Sequence, residues 1–168
     1  MTEHSFPKPQ LPGYTAIICI GEGAFATVYS AIHQKSRKKV AIKQIPVMDG
    51  ESSQLEDLQR EIDTMSSICN PFIVKYFESI EKDGFVYIVM EYLPCGSLSD
   101  FLDRNERASE TLAGAYFTMV VSALFTLHEV YHLAHRDIKP DNIMIDENGI
   151  LRLIDFGFAT FFDPSMPV

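Results

Sequence analysis

Residues 135–142 read His135-Arg136-Asp137-Ile138-Lys139-Pro140-Asp141-Asn142, and thirteen residues after Asn142 comes Asp155-Phe156-Gly157. Between the two motifs, apolar runs flank Asn148-Gly149, a dipeptide typical of a tight β-hairpin turn. A two-residue turn at this dipeptide pairs Glu147 with Ile150 and, counting outward, pairs Asn142 with Asp155. The pattern therefore predicts an amide oxygen facing a carboxylate, and such hard oxygen ligands suit Mg²⁺.

Two further motifs lie upstream. Residues 21–28 read Gly21-Glu22-Gly23-Ala24-Phe25-Ala26-Thr27-Val28, a glycine-rich loop whose backbone can approach phosphates. Residues 40–43 read Val40-Ala41-Ile42-Lys43 and place a lysine in an apolar strand, where a buried ammonium needs an anionic partner. In order and interval the four motifs resemble those of the eukaryotic protein kinase family, from about Tyr14 to Ala159.

This resemblance implies a phosphoryl-transfer site. Asp137 would be the catalytic base or would orient a substrate hydroxyl, and Lys139 would neutralise charge on the transferring phosphate. Asn142 and Asp155 would hold Mg²⁺. A lysine at position 139 resembles the serine/threonine kinases. The implied function is therefore transfer of the ATP γ-phosphate to a serine or threonine of a protein substrate.

The resemblance also implies an ATP site, in which Lys43 reaches the α- and β-phosphates and Glu61 holds Lys43. Further nucleotide contacts are expected from the glycine-rich loop, the sheet, the hinge and the hairpin: Ile20, Gly21, Glu22, Gly23, Ala24, Phe25, Ala26, Val28, Ala41, Met90, Glu91, Leu93 and Met144. Ala26 stands where the family pattern has its third glycine. Purely structural readings stay open, with Val28 and Ala41 as sheet core, Lys43 pointing outward from an edge strand and Glu61 solvated.

Composition limits the classes of partner. The chain has 168 residues, of which 46% are apolar, and a formal net charge of −9. This charge disfavours nucleic acid and anionic membrane surfaces. Three cysteines without metal or disulfide spacing are typical of a reduced, cytoplasmic protein.

Periodicity predicts an α+β fold. β-rich runs predict five strands: Tyr14–Ile20, Phe25–Ile32, Lys39–Ile45, Val74–Ile80 and Phe85–Tyr92. The resemblance implies that these strands form a kinase-like antiparallel N-lobe. Leucines, isoleucines and a methionine at helical spacing over residues 55–68 predict its main helix, with a capping box at Ser53 and Glu56. The expected domains are a flexible lead over 1–13, the N-lobe over 14–92, a hinge over 93–96 and a mainly helical partial C-lobe over 97–168.

The longest uncharged run, Thr111 to His128, approaches the length of a membrane span. Gly114, Thr118, Ser122 and Thr126 form a small and polar stripe along it. Such a stripe is also found where membrane helices pack. Because the run is short and interrupted by polar residues, it predicts a buried helix and no membrane span.

The resemblance implies further elements after residue 168, so the sequence predicts an incomplete C-lobe, exposed apolar surface and a truncated activation segment. Three interpretations stay open. The chain is an active catalytic region, or a catalytically impaired nucleotide-binding pseudokinase or regulatory interaction module, or an incomplete gene product. Beyond a protein substrate, a regulatory protein partner is left open.

Overall fold

The computed structural model describes residues 6–23, 26–47, 62–105 and 107–165. The chain divides into two compact units. The first combines Met1–Ile62 with Tyr76–Tyr92, and the second combines Asp63–Lys75 with Leu93–Val168.

The first unit is a five-stranded antiparallel sheet with strand order β1-β2-β3-β5-β4. The strands are β1 (Tyr14–Glu22), β2 (Thr27–His33), β3 (Lys39–Pro46), β4 (Tyr76–Lys82) and β5 (Phe85–Glu91). All five predicted strands are confirmed. Asp83 and Gly84 join β4 to β5 in a hairpin, and both residues have positive φ, 52° and 75°, as a two-residue type I′ turn requires.

The strand register separates two faces of this sheet. Tyr29, Ile42 and Val89 lie opposite one another and belong to the hydrophobic core of the unit. Val28, Lys43 and Ile88 are one residue out of phase and therefore lie on the other face. The first set marks what we call the core face, and the second marks the Lys43 face.

Residues 6–12 form a segment that we call the N-terminal strap. Gln44 Nε2 donates a hydrogen bond to the Pro7 carbonyl over 3.1 Å, and Lys82 Nζ donates to the Gln10 carbonyl over 2.6 Å. Leu11 is buried in the core of the unit. The sequence predicted a flexible lead over 1–13, whereas the described residues of that stretch make specific contacts with the sheet.

The second unit is mainly helical. Its helices are α1 (described over 62–67, of which 63–67 belong to this unit), α2 (Leu98–Asn105) and α3 (Glu110–Phe125), which continues as a π-helical turn over Thr126–Val130. Two short antiparallel pairs complete it, β6 (Leu133–Ala134) with β9 (Thr160–Phe161) and β7 (Ile143–Ile145) with β8 (Leu151–Leu153). The expected capping box of α1 lies outside the described residues.

The burial expected of the long apolar helix is wrong. Within α3 only Tyr116 and Ala123 are buried, while Phe117 is 71% and Phe125 64% exposed. Uniform apolarity carries no information about which face is covered. From Glu110 to Val130 the helix is long and apolar enough to cross a membrane by length and composition alone, a test that core helices of soluble proteins also pass.

Two residues of the small and polar stripe, Ser122 and Thr126, accept hydrogen bonds from Asn70. Asn70 Nδ2 donates to Thr126 Oγ1 over 2.7 Å and to the Ser122 carbonyl over 3.4 Å. Asn70 Oδ1 accepts from the Phe72 N–H over 2.7 Å. The Thr126 hydroxyl and the Ser122 carbonyl therefore bond the Asn-Pro turn that follows α1.

The hairpin predicted at Asn148-Gly149 exists, but its predicted register is wrong by one residue. Ile145 pairs with Leu151, and Ile154 N–H donates to the Asn142 carbonyl over 2.9 Å. Asn142 therefore pairs with Ile154 rather than Asp155. The loop has three residues closed by a bond from Gly149 N–H to the Asp146 carbonyl, and only Gly149 has positive φ, 76°.

Candidate active site

The loop from Asp137 to Asn142 brings three predicted site residues together. Lys139 Nζ donates to Asp137 Oδ2 over 2.8 Å, and Asn142 Nδ2 donates to the same oxygen over 2.7 Å. Asn142 Nδ2 also lies 2.9 Å from the Asp137 carbonyl oxygen. Both side-chain donors bond Oδ2, so within the described part of the chain Oδ1 accepts no hydrogen bond.

Local backbone chemistry explains this convergence. Lys139 is extended, and a single 3₁₀ turn over Pro140–Asn142 follows it, with proline at the start of the turn. Proline favours that position because its φ is already near the helical value and no N–H is wasted. The turn is closed by Asn142 N–H donating to the Lys139 carbonyl over 3.0 Å, which directs Asn142 back towards Asp137.

The charges of the trio stabilise each other. The Lys139 ammonium is the main cause that holds the pKa of Asp137 below its usual value, and the bond from Asn142 acts in the same direction. The Asp137 carboxylate in turn raises the pKa of Lys139. At neutral pH the loop therefore presents an ionised carboxylate beside an ammonium.

His135 connects this loop to the strand that precedes Asp155. The side chain is 1% exposed, its Nε2 lies 3.0 Å from the Ile154 carbonyl oxygen and its Nδ1 lies 3.3 Å from the Asp137 nitrogen. Burial is the main cause that lowers its pKa. The ring is therefore neutral with the proton on Nε2, because Nδ1 accepts from an N–H. The His135 ring also packs edge-on against Phe156, with ring centroids 4.9 Å apart.

Asp155 follows Ile154, the residue that pairs with Asn142 just after β8. Its φ is 62°, in the left-handed region, and its Oδ1 accepts from Gly157 N–H over 3.3 Å. The Asp155 charge contributes to the raised pKa of Lys139, so the carboxylate lies within electrostatic reach of the loop. The expected Mg²⁺ ligands, Asn142 and Asp155, thus come from neighbouring segments, and their joint role stays a prediction.

The glycine-rich loop of the first unit joins β1 to β2. Gly21 pairs with Val28, and Gly23 N–H donates to the Ala26 carbonyl over 2.9 Å. Neither glycine has positive φ, and a Cβ atom at Gly21 would approach only Val28, at 4.0 Å. The fold itself therefore does not require glycine at position 21, and the space above it could admit phosphate oxygens. Ala24 and Phe25 lie outside the described residues.

Lys43 lies on β3, the central strand of the sheet, between Val28 and Ile88. The alternative of an outward lysine on an edge strand is therefore wrong. Ala41 and Met90 are paired on the same face as Lys43, so residues expected around adenine and around phosphate share one surface. Glu61, the expected partner of Lys43, lies outside the described residues.

The other expected nucleotide contacts are divided between the units. Ile20 is 49% exposed on β1, and Glu91 ends β5. In the second unit Leu93 is buried, and Met144 on β7 forms an isolated antiparallel bridge with Ser97. The structure gives each a defined place, and their contact with a nucleotide stays a prediction.

Sequence reasoning missed Asp146, which is 5% exposed. Asp146 Oδ1 accepts from the N–H groups of Asn148 and Ile150 over 2.9 and 2.8 Å, and Oδ2 lies 3.2 Å from Arg152 Nη2. This carboxylate fixes the three-residue loop that sets the register of Asn142. An aspartate two residues before Asn148-Gly149 is the signal that could have revealed it, since such side chains bond the backbone two residues on.

Comparison with known proteins agrees with these motifs. A family model described as the protein kinase domain matches residues 14–167. Serine/threonine-protein kinase SIK1 of Mus musculus is 36% identical over 149 residues, which cover 89% of this chain and 19% of that protein. Serine/threonine-protein kinase kin-29 of Caenorhabditis elegans is 39% identical over 142 residues, covering 84% of this chain and 17% of its own length. For SIK2 of Gallus gallus the identity is 34% over 163 residues, with 96% and 20% covered.

The chain therefore belongs to the protein kinase family, and the resemblance stated from its motifs is confirmed. The relatives named above are serine/threonine kinases. This chain spans about a fifth of their length, 17–20%.

Proposed function

We propose that this chain is the catalytic region of an ATP-dependent serine/threonine protein kinase, which transfers the γ-phosphate of ATP to a protein hydroxyl. The observation that carries the proposal is the convergence of Lys139 and Asn142 on one oxygen of Asp137. A structural loop could bury or solvate these groups separately. Here they are held together, with the second carboxylate oxygen left to face a substrate.

The trio supports distinct roles in phosphoryl transfer. Asp137 Oδ1 would accept a hydrogen bond from the substrate hydroxyl and orient it. It would take the hydroxyl proton as the new P–O bond forms and the bond between the γ-phosphorus and the β,γ-bridging oxygen breaks, which releases ADP. Lys139, a cation held 2.8 Å from the carboxylate, would offset the negative charge that develops on the transferring group. Fixed orientation of these groups is what catalysis of this type needs.

The donor set fits a hard divalent cation, because Asn142 and Asp155 offer amide and carboxylate oxygens. Mg²⁺ bound there would neutralise charge on the phosphates. The Lys43 face fits the nucleotide, with Val28, Ala41 and Met90 as apolar contacts for adenine and Lys43 as the phosphate contact. The open space at Gly21 supports close approach of phosphate to the loop.

We further propose the functional division expected from the sequence. Residues 14–92 would hold the nucleotide, 93–96 would be the hinge, and 97–168 would carry the phosphotransfer and metal residues. The protein would act in the cytoplasm on a protein substrate. Its net charge of −9 gives no support for a nucleic-acid partner.

The test is transfer of radiolabel from γ-labelled ATP to a serine/threonine-rich acceptor protein such as casein, with Mg²⁺. Asp137→Asn should lower kcat by about 10²–10⁴-fold, the range that general-base catalysis contributes. Asp141→Asn is the matched control, because Asp141 is an exposed carboxylate of the same loop outside the trio. It should retain kcat within about threefold, since surface changes away from the reacting groups have small effects.

ATP·Mg binding by calorimetry is measured first, with Lys43→Met as the variant expected to lose it. Binding without any transfer would contradict the proposal and favour the regulatory nucleotide-binding alternative. Transfer that Asp137→Asn leaves intact would remove Asp137 from the mechanism.

A further inference from the structure

Gln44 is the residue after Lys43 on β3, and its side chain lies on the core face. It is fully buried, at 0% exposure. Nε2 donates to the Pro7 carbonyl of the N-terminal strap over 3.1 Å and lies 3.4 Å from the Tyr87 hydroxyl. Within the described residues Oε1 has no hydrogen-bond partner. Half of a buried amide is therefore unsatisfied.

An unsatisfied buried amide oxygen is costly, and such groups are rare in native cores. A leucine of similar volume would fill the same place without that oxygen. What glutamine contributes and leucine cannot is a directional bond to the strap. The strap is thus attached to the sheet at the strand residue adjacent to the proposed phosphate-binding lysine.

The neighbours of Gln44 lie at the end of the β2–β3 pair that carries the glycine-rich loop. Thr27 pairs directly with Gln44, and Thr27 is the first residue of β2 after that loop. Tyr29 and Tyr87 are both buried, which raises their pKa values and keeps their hydroxyls protonated. The core face therefore carries polar groups at the strand ends whose opposite face would contact the nucleotide.

We infer that the N-terminal strap is a positioning element for the nucleotide site, acting through the bond between Pro7 and Gln44. The bond holds β3 from the core face and so limits how far Lys43 and the adjoining end of β2 can move on the other face. Gln44 is a positioning residue and makes no contact with nucleotide. The inference rests on the proposed function, because it assigns the Lys43 face to ATP.

The test compares two variants that each remove one attachment of the strap. Gln44→Leu removes the bond to Pro7 at β3. Lys82→Met removes the bond to the Gln10 carbonyl. Lys82 ends β4 and is not adjacent to Lys43. Two quantities are measured: amide hydrogen exchange of residues 39–46 without nucleotide, and KM for ATP together with kcat.

Gln44→Leu should accelerate exchange in residues 39–46 and raise KM for ATP by about threefold to tenfold, the effect of one lost hydrogen bond on the population of the competent state. It should leave kcat within about twofold, because the trio at Asp137 is untouched. The melting temperature should change little, since the unsatisfied oxygen is removed together with the bond. Lys82→Met should change neither the exchange of residues 39–46 nor KM.

A chain lacking residues 1–8 is a third variant, because it removes the Pro7 acceptor without changing β3 and retains Leu11. It should reproduce the effects of Gln44→Leu. Unchanged exchange and KM in both Gln44→Leu and the shortened chain would overturn the inference. So would a fall in kcat that matches a loss of overall stability. Should the unaltered chain bind no ATP, the proposed function fails, and the exchange of residues 39–46 still decides whether the strap holds β3.

Discussion

Asp146 offers the sharpest test of how the hairpin between Asn142 and Asp155 is held. Its carboxylate accepts two backbone hydrogen bonds, from Asn148 and Ile150, and pairs with Arg152. The two charged side chains are only 7% and 17% exposed. Asp146→Ala removes all three interactions at once and leaves the Arg152 charge mostly buried.

The expected loss follows from these contacts. Each of the two backbone N–H groups that lose their acceptor costs about 1–3 kcal/mol. The broken ion pair adds less than the full cost of an isolated buried charge, because Arg152 has a further interaction. Asp146→Asn retains an acceptor at Oδ1 for both N–H groups and loses only the charge. We therefore expect a free energy of unfolding lower by about 3–5 kcal/mol for alanine and by about 1–2 kcal/mol for asparagine.

The assay is urea unfolding followed by far-ultraviolet circular dichroism, at fixed pH and salt. Glu147→Ala is the control, an exposed carboxylate in the same loop, and should change the free energy of unfolding by less than about 0.5 kcal/mol. A loss below about 1 kcal/mol for Asp146→Ala would refute the reasoning, because two backbone N–H groups would lose their acceptor at once. Equal losses for alanine and asparagine would refute the part assigned to the backbone bonds.

Three further outcomes are expected. The folded-state pKa of His135 lies below 6.5, so the unfolded chain binds more protons under acidic conditions. The free energy of unfolding should therefore fall as pH drops below 6.5. Denaturant titrations across that range should show a smaller fall for His135→Gln. Gly149→Ala should lower the free energy of unfolding by about 1–2 kcal/mol, because φ at this position is 76°. Gly114→Ala on α3 should raise the free energy of unfolding by about 0.5–1 kcal/mol, because a Cβ atom there meets no neighbour. Opposite shifts in melting temperature check both. Asn70→Ala should cost about 1–3 kcal/mol by leaving the Phe72 N–H and Thr126 hydroxyl unpaired; a cost no larger than that of Thr126→Val, in the same urea assay, would contradict it.

The strands were predictable because each carries its own signal. Asp83-Gly84 shows why: both residues adopt positive φ, and the turn itself then fixes Lys82 opposite Phe85. Asn148-Gly149 is the same kind of signal with a different result. There only Gly149 has positive φ, because the Asp146 carboxylate bonds two backbone N–H groups and closes a longer loop. The Asn-Gly dipeptide alone therefore predicts the wrong loop length, because the Asp146 side chain two residues earlier determines it.

The strap and α3 were mispredicted for a shared reason. Proline-rich, polar sequence before Tyr14 has little local preference, and its order comes from distant residues such as Gln44 and Lys82. The apolar residues of α3 do not form a distinct stripe, so the pattern could not identify the exposed side that carries Phe117 and Phe125. In both cases tertiary contacts decide what local sequence leaves open.

The candidate site residues were predicted from their motifs, and one physical reason for their spacing is visible only in the fold. His135 uses both ring nitrogens, one towards the carbonyl of Ile154 and one towards the N–H of Asp137. A protonated ring could not accept at Nδ1, so burial, which keeps the ring neutral, also maintains the link between the two segments. The same imidazole bonds the N–H of Asp137 itself and the carbonyl of Ile154, the residue before Asp155. The placement of the two acids thus depends on a buried histidine that bonds the backbone of both segments, and this gives a physical reason for a histidine at the start of the motif.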